Sequence, residues 1–279
     1  MVLNCPNRSR CPAAIHHPHP ERRLLMNRNR TIIALILGLL LLCGSAWAQE
    51  TLKIGVVGPR TGPAAATGAA FDEGIKLAVD YVNSKGGVMG KKLQVAFEDT
   101  AGAPDKAASG FERLVTRDKV VMVLGESHSS SALAQIEVAN RLKVPFVVVE
   151  AWADEITAKN YRYVFRAGPS NSGVVNETIA KWVQAEKFKR AFIIAENTDW
   201  GIGIGKLTEN ALTKAGVPYE SMITERSSQD HYVELAKIKA FKPDVVLAYI
   251  YGVGLHYFVA QAGETGVSPK AVVLDGAGP

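Results

Sequence analysis

The stretch Gly125-Glu126-Ser127-His128-Ser129-Ser130-Ser131-Ala132 follows the apolar run Val120–Leu124 and places four hydroxyls and an imidazole at the end of a buried strand. Three chemistries suit such a loop. A nucleophile elbow needs G-x-S-x-G, because the strained strand-turn-helix closes on a second glycine, and here Ser129 stands in that glycine's place. His128 is not made a general base for Ser127 or Ser129 by being next to them in the chain, and His231 and His256 have no motif around them. A phosphate cradle of the Walker type needs G-x-x-x-x-G-K-[ST], which does not occur. Gly55-Val56-Val57-Gly58 with Gly62 is not G-x-G-x-x-G either; it reads as a β–α turn or as a backbone wall of a cleft. The third chemistry is capture of a carboxylate. Ser129, Ser130 and Ser131 at a helix start would turn hydroxyls and free N–H groups outward beside the positive end of the helix dipole. An ordinary N-cap needs only one serine, so both readings stay open at this point.

The elements around this loop alternate short apolar runs with helix-period segments, the pattern of a parallel sheet covered by helices. Strands are expected at Leu52–Val57, Leu93–Glu98, Val120–Leu124 and Pro145–Val149. Between them Phe71, Ile75, Ala78, Val79 and Val82 mark a helix that stops at Gly86-Gly87, and Ala107, Ala108, Phe111, Leu114 and Val115 mark one begun by Pro104. A third helix is expected over Ser131–Leu142. Tyr161–Phe165 then runs into the turn-rich Ala167–Ser172, read as a crossing between two bodies. A second series follows: helices at 179–183, 202–214, 232–238 and 255–263, and strands at Arg190–Ala195, Tyr219–Ile223, Val245–Tyr249 and Ala271–Leu274. The expected fold class is α/β, two doubly wound parallel-sheet lobes at 49–166 and 167–279 with the second incomplete, so that the chain reads as C-terminally truncated. Loops leaving the carboxyl ends of the strands face the shared cleft.

The N-terminal part reads as a leader. Met26 to Arg30 is basic, Thr31–Leu42 is apolar but short for a bilayer, and Ala46-Trp47-Ala48 fits a cleavage site, so 26–48 is expected to be a signal peptide removed near Ala48. Residues 1–25, with Cys5, Cys11 and His16-His17-Pro18-His19, are expected to be an unstructured upstream extension, since they offer no fixed metal-ligand geometry. Cys43 follows Leu42, where a lipidation box carries a small residue. Without residues 1–48 the 32 basic and 27 acidic residues become 26 of each, and all three cysteines are gone. A neutral mature chain has no footprint for nucleic acid or an anionic membrane surface, and it is held by its apolar core without disulfides.

Leu52-Lys53-Ile54-Gly55-Val56-Val57-Gly58, Thr61-Gly62-Pro63, the block from Asn83 through Gly86-Gly87-Val88, Gly90 and Leu93, Glu98-Asp99-Thr100, and Gly125 with Ser129-Ser130-Ser131 resemble the periplasmic leucine/isoleucine/valine-type (type I) solute-binding proteins of ABC importers. The resemblance implies that Ser129, with Ser130 beside it, grips a ligand carboxylate. It puts Ala151 and Trp152 where the family has a small residue and a threonine, a departure that exchanges a hydroxyl for a flat apolar wall and suggests a ligand other than a plain branched-chain amino acid. Thr67 falls at an often aromatic position. From the second lobe it implies Tyr251, Trp200 with Gly201, and Asp275 as the ammonium partner. Each of these also has a plainer reading: the aromatics as cover for a sheet edge, Asp275 as a helix cap, Glu150 as a solvated loop charge.

What the resemblance implies overall is an exported receptor, not an enzyme, that binds an amino acid or related small carboxylate or amide by hinge closure. It would use no cofactor and no metal, act as a monomer, and hand its ligand to a membrane permease. Two alternatives remain open: a sensory receptor ectodomain of the same fold, and an exported hydrolase using Ser127 or Ser129 with His128.

Overall fold

The computed structural model describes residues 50–275, the last through its backbone alone; the expected signal peptide and Cys5, Cys11 and Cys43 lie outside the described residues. Strand β1 (Thr51–Gly58) is buried from Ile54 onward, as a strand covered on both faces must be. It pairs in parallel with β2 (Lys92–Asp99) on one side and β3 (Val123–Gly125) on the other. β4 (Phe146–Val148) and β5 (Val164–Arg166) extend the sheet, giving the order β2-β1-β3-β4-β5. The helices are α1 (Ala65–Ser84), α2 (Pro104–Thr116), α3 (Ser129–Leu142) and the single turn α4 (Glu155–Ala158). Phe111 and Leu114 of α2 and Ala132, Ile136 and Ala139 of α3 pack on Val57, Val123, Phe146 and Val148, with the Phe111 and Phe146 rings edge-on at 5.2 Å.

Two expectations are corrected here. The first sheet has five strands, not four: Tyr161–Phe165 contributes β5, too short for a period of two to be legible. The apolar run Val120–Leu124 is only partly strand, because the Val120 N–H still bonds back to Leu114 of α2 and Val121 is 51% exposed. The third helix accordingly starts at Ser129 rather than Ser131. Gly125 closes β3 at φ +137°, and a Cβ there would lie 2.0 Å from the Val57 carbonyl oxygen, so only glycine lets β3 approach β1 this closely.

A helical stretch follows: α5 (Asn171–Val174), a π-helical turn (Val175–Ile179) and α6 (Ala180–Glu186). The second sheet is built on β6 (Ala191–Glu196), every residue of which is buried. Its side chains alternate between two cores: Ala191, Ile193 and Ala195 meet α7 (Asp199–Ala215) and the π turn, while Phe192 and Ile194 meet α8 (Tyr232–Phe241) and α9 (Val253–Thr265). With β7 (Tyr219–Thr224), β8 (Val245–Tyr249) and β9 (Ala271–Asp275), the order is β7-β6-β8-β9. No described helix is long and apolar enough to cross a membrane.

Both sheets reverse direction in the same way, from the first strand to one neighbour and then to the other side. At such a switch the loops leaving adjacent strands diverge and open a crevice. Those loops are 59–64 after β1, 126–128 after β3, 197–198 after β6 and 250–252 after β8.

Candidate ligand-binding site

Side chains from these four loops, and from the helix turns that follow them, come together. Tyr251, just past β8, donates its phenol proton to Thr67 Oγ1 in α1 at 2.9 Å, and its ring lies edge-on to His128 at 5.4 Å and to Trp200 at 6.3 Å. Its backbone N–H donates to Glu196 Oε2 at 3.0 Å, at the end of β6. A second tie between the halves runs from Arg226 Nη1 to the Gly102 carbonyl at 2.9 Å. Trp152, from the loop after β4, packs against the core of the second sheet.

The charges at this junction are mostly acidic and mostly out of water. Glu126 is fully buried; its Oε1 accepts the N–H groups of Ser127 at 3.0 Å and His128 at 3.3 Å, while its Oε2 has no partner. Glu150 also has a buried, unpartnered Oε2, and burial together with the neighbouring Glu126 charge pushes its carboxyl above the usual range. Glu196 is raised by burial, an effect partly offset by the Tyr251 N–H, the Thr198 hydroxyl, Arg226 and His128. Burial, assisted by the Glu150 charge and opposed by hydrogen bonds with Thr67 and Ser127, pushes the Tyr251 phenol up to about 12.

Ser127 Oγ lies 3.2 Å from His128 Nδ1, and Glu126 Oε1 lies 3.5 Å from that same nitrogen. A proton relay uses the two ring nitrogens for base and orienting acid separately. Serine, histidine and glutamate are therefore adjacent but not arranged as a triad.

The expected site residues are distributed unevenly. Ser129 is buried, and its Oγ accepts the N–H groups of Trp152 and Ala153 at 3.2 and 3.1 Å, pinning the loop after β4 to the start of α3. The outward-facing hydroxyl row expected at 129–131 is thus corrected: Ser131 is also fully buried, and only Ser130 is half-exposed. The helix has no side-chain cap; its N-cap is His128, in extended backbone. Ala151 packs into the first core, its N–H bonded to the Glu126 carbonyl and its carbonyl to Arg166. Arg166 also holds the Ala153 and Pro169 carbonyls, so one guanidinium clasps the segment carrying Trp152. Trp200 and Tyr251 lie side by side. Thr198 caps α7 by accepting the Gly201 N–H at 3.1 Å, and a Cβ on Gly201 would lie 2.3 Å from the Glu196 carbonyl oxygen. Asp275 ends β9 opposite Tyr249; its side chain lies outside the described residues.

Sequence reasoning passed over Glu126, Glu196, Arg226 and Asn171. Asn171 bridges the Trp152 and Trp200 carbonyls through its N–H at 2.8 Å and its Nδ2 at 3.2 Å, leaving a buried Oδ1 without a partner. The available signal was position: Glu126 and Glu196 each end, or follow directly, a strand next to the switch point of its sheet.

A fold of two parallel α/β sheets whose strand ends meet at a shared junction defines the class of two-sheet ligand receptors, and comparison with known proteins narrows it. The family model described as periplasmic binding protein matches residues 51–278, and the chain belongs to that family. It is 30% identical over 250 residues to the Leu/Ile/Val-binding protein homolog 7 of Brucella suis, covering 85% of this chain and 62% of that one. It is 29% identical to an amino acid binding protein of Pseudomonas aeruginosa, with 83% and 62% covered. Among solved structures it resembles LivJ of Streptococcus pneumoniae in complex with isoleucine (TM-score 0.72, 27% identity, 80% and 63% covered). It also resembles a solute-binding protein of an ABC transporter from Rhodopseudomonas palustris BisB5 in complex with 3,4-dihydroxybenzoic acid (TM-score 0.71, 26% identity, 80% and 60% covered). The chain spans about three-fifths of the length of these curated relatives.

Proposed function

We propose that this chain is the solute receptor of an ABC importer. It would bind an amino acid or a related small carboxylate or amide between two lobes, 49–166 and 167–279, and deliver it to a membrane permease without catalysis. The observation that carries the reading is Tyr251: one side chain from the second sheet reaches Thr67 and His128 of the first while lying edge-on to Trp200. A ligand gripped from both sides stabilises the closed arrangement by its differential affinity for it. The carboxylate is assigned to the first turn of α3, where the N–H groups of Ser129, Ser130 and Ser131 have no intrahelical acceptor. Ser129 contributes its hydroxyl proton, since its oxygen is already an acceptor. Trp152 and Trp200 supply apolar walls, with Ala151 beside them and Asp275 at the far side. Isoleucine and dihydroxybenzoate, held by the two structural relatives, are both small carboxylates. Residues 26–48 are assigned to export.

The test is a thermal-shift panel on the full 279-residue chain expressed in a bacterial periplasm, with branched-chain, aromatic, acidic and basic amino acids, benzoates, urea and short amides. A ligand at about a hundredfold excess over its Kd should raise the melting temperature by several degrees. Tyr251→Phe and Ser129→Ala should each weaken that ligand roughly three- to tenfold, the worth of one hydrogen bond. A product beginning at Gln49 by intact mass is expected. No shift with any compound, or binding indifferent to both substitutions, would remove the basis for the reading.

A further inference from the structure

The acidic groups at the junction pose a question that a carboxylate ligand does not answer. Glu126 is 0% exposed and Glu150 half-buried with its Oε2 out of water, the two interact electrostatically, and each presents one buried carboxylate oxygen with no hydrogen-bond partner. Among the described residues no lysine or arginine bonds to either. The nearby Arg226 is turned to the Gly102 carbonyl, and the His128 ring nitrogen near Glu126 is shared with Ser127. Asn171 Oδ1, between the Trp152 and Trp200 carbonyls, is a third buried acceptor left open. All three are acceptors. Leaving a carboxylate oxygen buried without a donor costs free energy that only a donor, and preferably a cation, recovers.

Resting on the receptor reading above, we infer that Glu126 and Glu150 take a cationic, hydrogen-donating group of the ligand, an ammonium, amidinium or guanidinium, beside Tyr251 and His128. The Glu126 side chain is preorganised for such a group, because two backbone N–H groups fix its Oε1 and its Oε2 therefore keeps one direction. Glu150 follows β4 and is anchored by its own N–H to the Glu126 carbonyl at 3.3 Å, which keeps the two carboxylates on neighbouring strand ends. A planar cation with several N–H donors can serve both at once, whereas a neutral amide can donate to them but cannot offset two charges. This places a positive group of the ligand against the first sheet, apart from Asp275 on the second.

The experiment is calorimetry on the full 279-residue chain at pH 7.5, using matched pairs: L-arginine against L-citrulline and L-lysine against L-norleucine, with L-isoleucine and benzoate as references. The cationic member of at least one pair should bind about tenfold or more tightly than its neutral partner, the scale of a charge-assisted hydrogen bond. Glu150→Gln and Glu126→Gln should each bring that ratio to within about threefold. If Glu126→Gln fails to fold, because its oxygen also holds the Ser127 and His128 N–H groups, Glu150→Gln alone decides. Equal binding of citrulline and arginine, or a ratio that survives Glu150→Gln, overturns the inference. Binding of isoleucine or benzoate with no binding of arginine or lysine sinks this inference and leaves the receptor reading standing, whereas silence from every compound sinks both.

Discussion

Glu196 shows how a single side chain can hold the junction at some cost to stability. It is 2% exposed, and its two oxygens accept the Tyr251 N–H and the Thr198 hydroxyl, so it orients one loop on each side of the switch point in the second sheet. Burial raises its carboxyl above the unfolded value, and Glu150 shifts the same way. A carboxyl raised in the folded state favours folding when protonated. Its contribution is fully present below the unfolded value of about 4.3 and is lost as pH rises through the raised folded value. Glu196→Gln removes that loss. Denaturation of the ligand-free protein should find the variant's stability relative to wild type rising between about pH 4 and neutrality, with the smallest difference at the acid end. A difference that stays flat over this range would show that burial of Glu196 carries no charge penalty.

At the scale of elements, the junction depends on how closely β3 approaches β1 and on how the loop after β4 is clamped. Gly125→Ala forces a Cβ to 2.0 Å from the Val57 carbonyl at a backbone angle of φ +137° that alanine avoids. The expected loss is about 3 kcal/mol or more, read as a lowered urea midpoint, because both overpacking and backbone strain act at once. A midpoint within error of wild type would mean that β3 can slide away from β1. The long elements were legible because periodicity accumulates: α7, expected over 202–214, runs Asp199–Ala215, and β8 lies where it was expected, at Val245–Tyr249. β5 and α4, of three and four residues, complete barely one period each, too few for a pattern to accumulate, and are held by neighbours instead. Arg166 illustrates this: its guanidinium ties β5 to the Ala151 and Ala153 carbonyls, a clasp with no local sequence signature.

Across the whole molecule, among the described residues, the first sheet carries one core and the second sheet two, and side-chain hydrogen bonds such as Tyr251 to Thr67 and Arg226 to Gly102 cross between the halves. Separate apolar cores on the two sheets, tied by these polar bonds and by Trp152 against the second sheet, form an arrangement that allows rigid bodies to rotate about their connections. If the proposed receptor cycle holds, solution scattering from the full chain should show a smaller radius of gyration with saturating ligand than without. Superimposable curves would argue that the ligand binds without closure.

By itself the sequence determined the alternation of buried strands and amphipathic helices, and with it that the chemistry had to lie on loops leaving strand ends. Both follow from periodicities of two and 3.6 that are local properties of the chain. It also brought Ser129 forward as a candidate through its position on such a loop, while Trp200 and Tyr251 came forward only through the family resemblance. The tertiary structure alone decided what each atom there does. The Ser129 oxygen is turned to the amides of Trp152 and Ala153, the Tyr251 phenol crosses to Thr67, 184 residues away, and Glu126 lies fully buried with an oxygen left open. Those outcomes depend on strand order and on which distant loops meet at the junction. Hydrogen bonds and desolvation act over a few ångströms of space, whatever the separation along the chain.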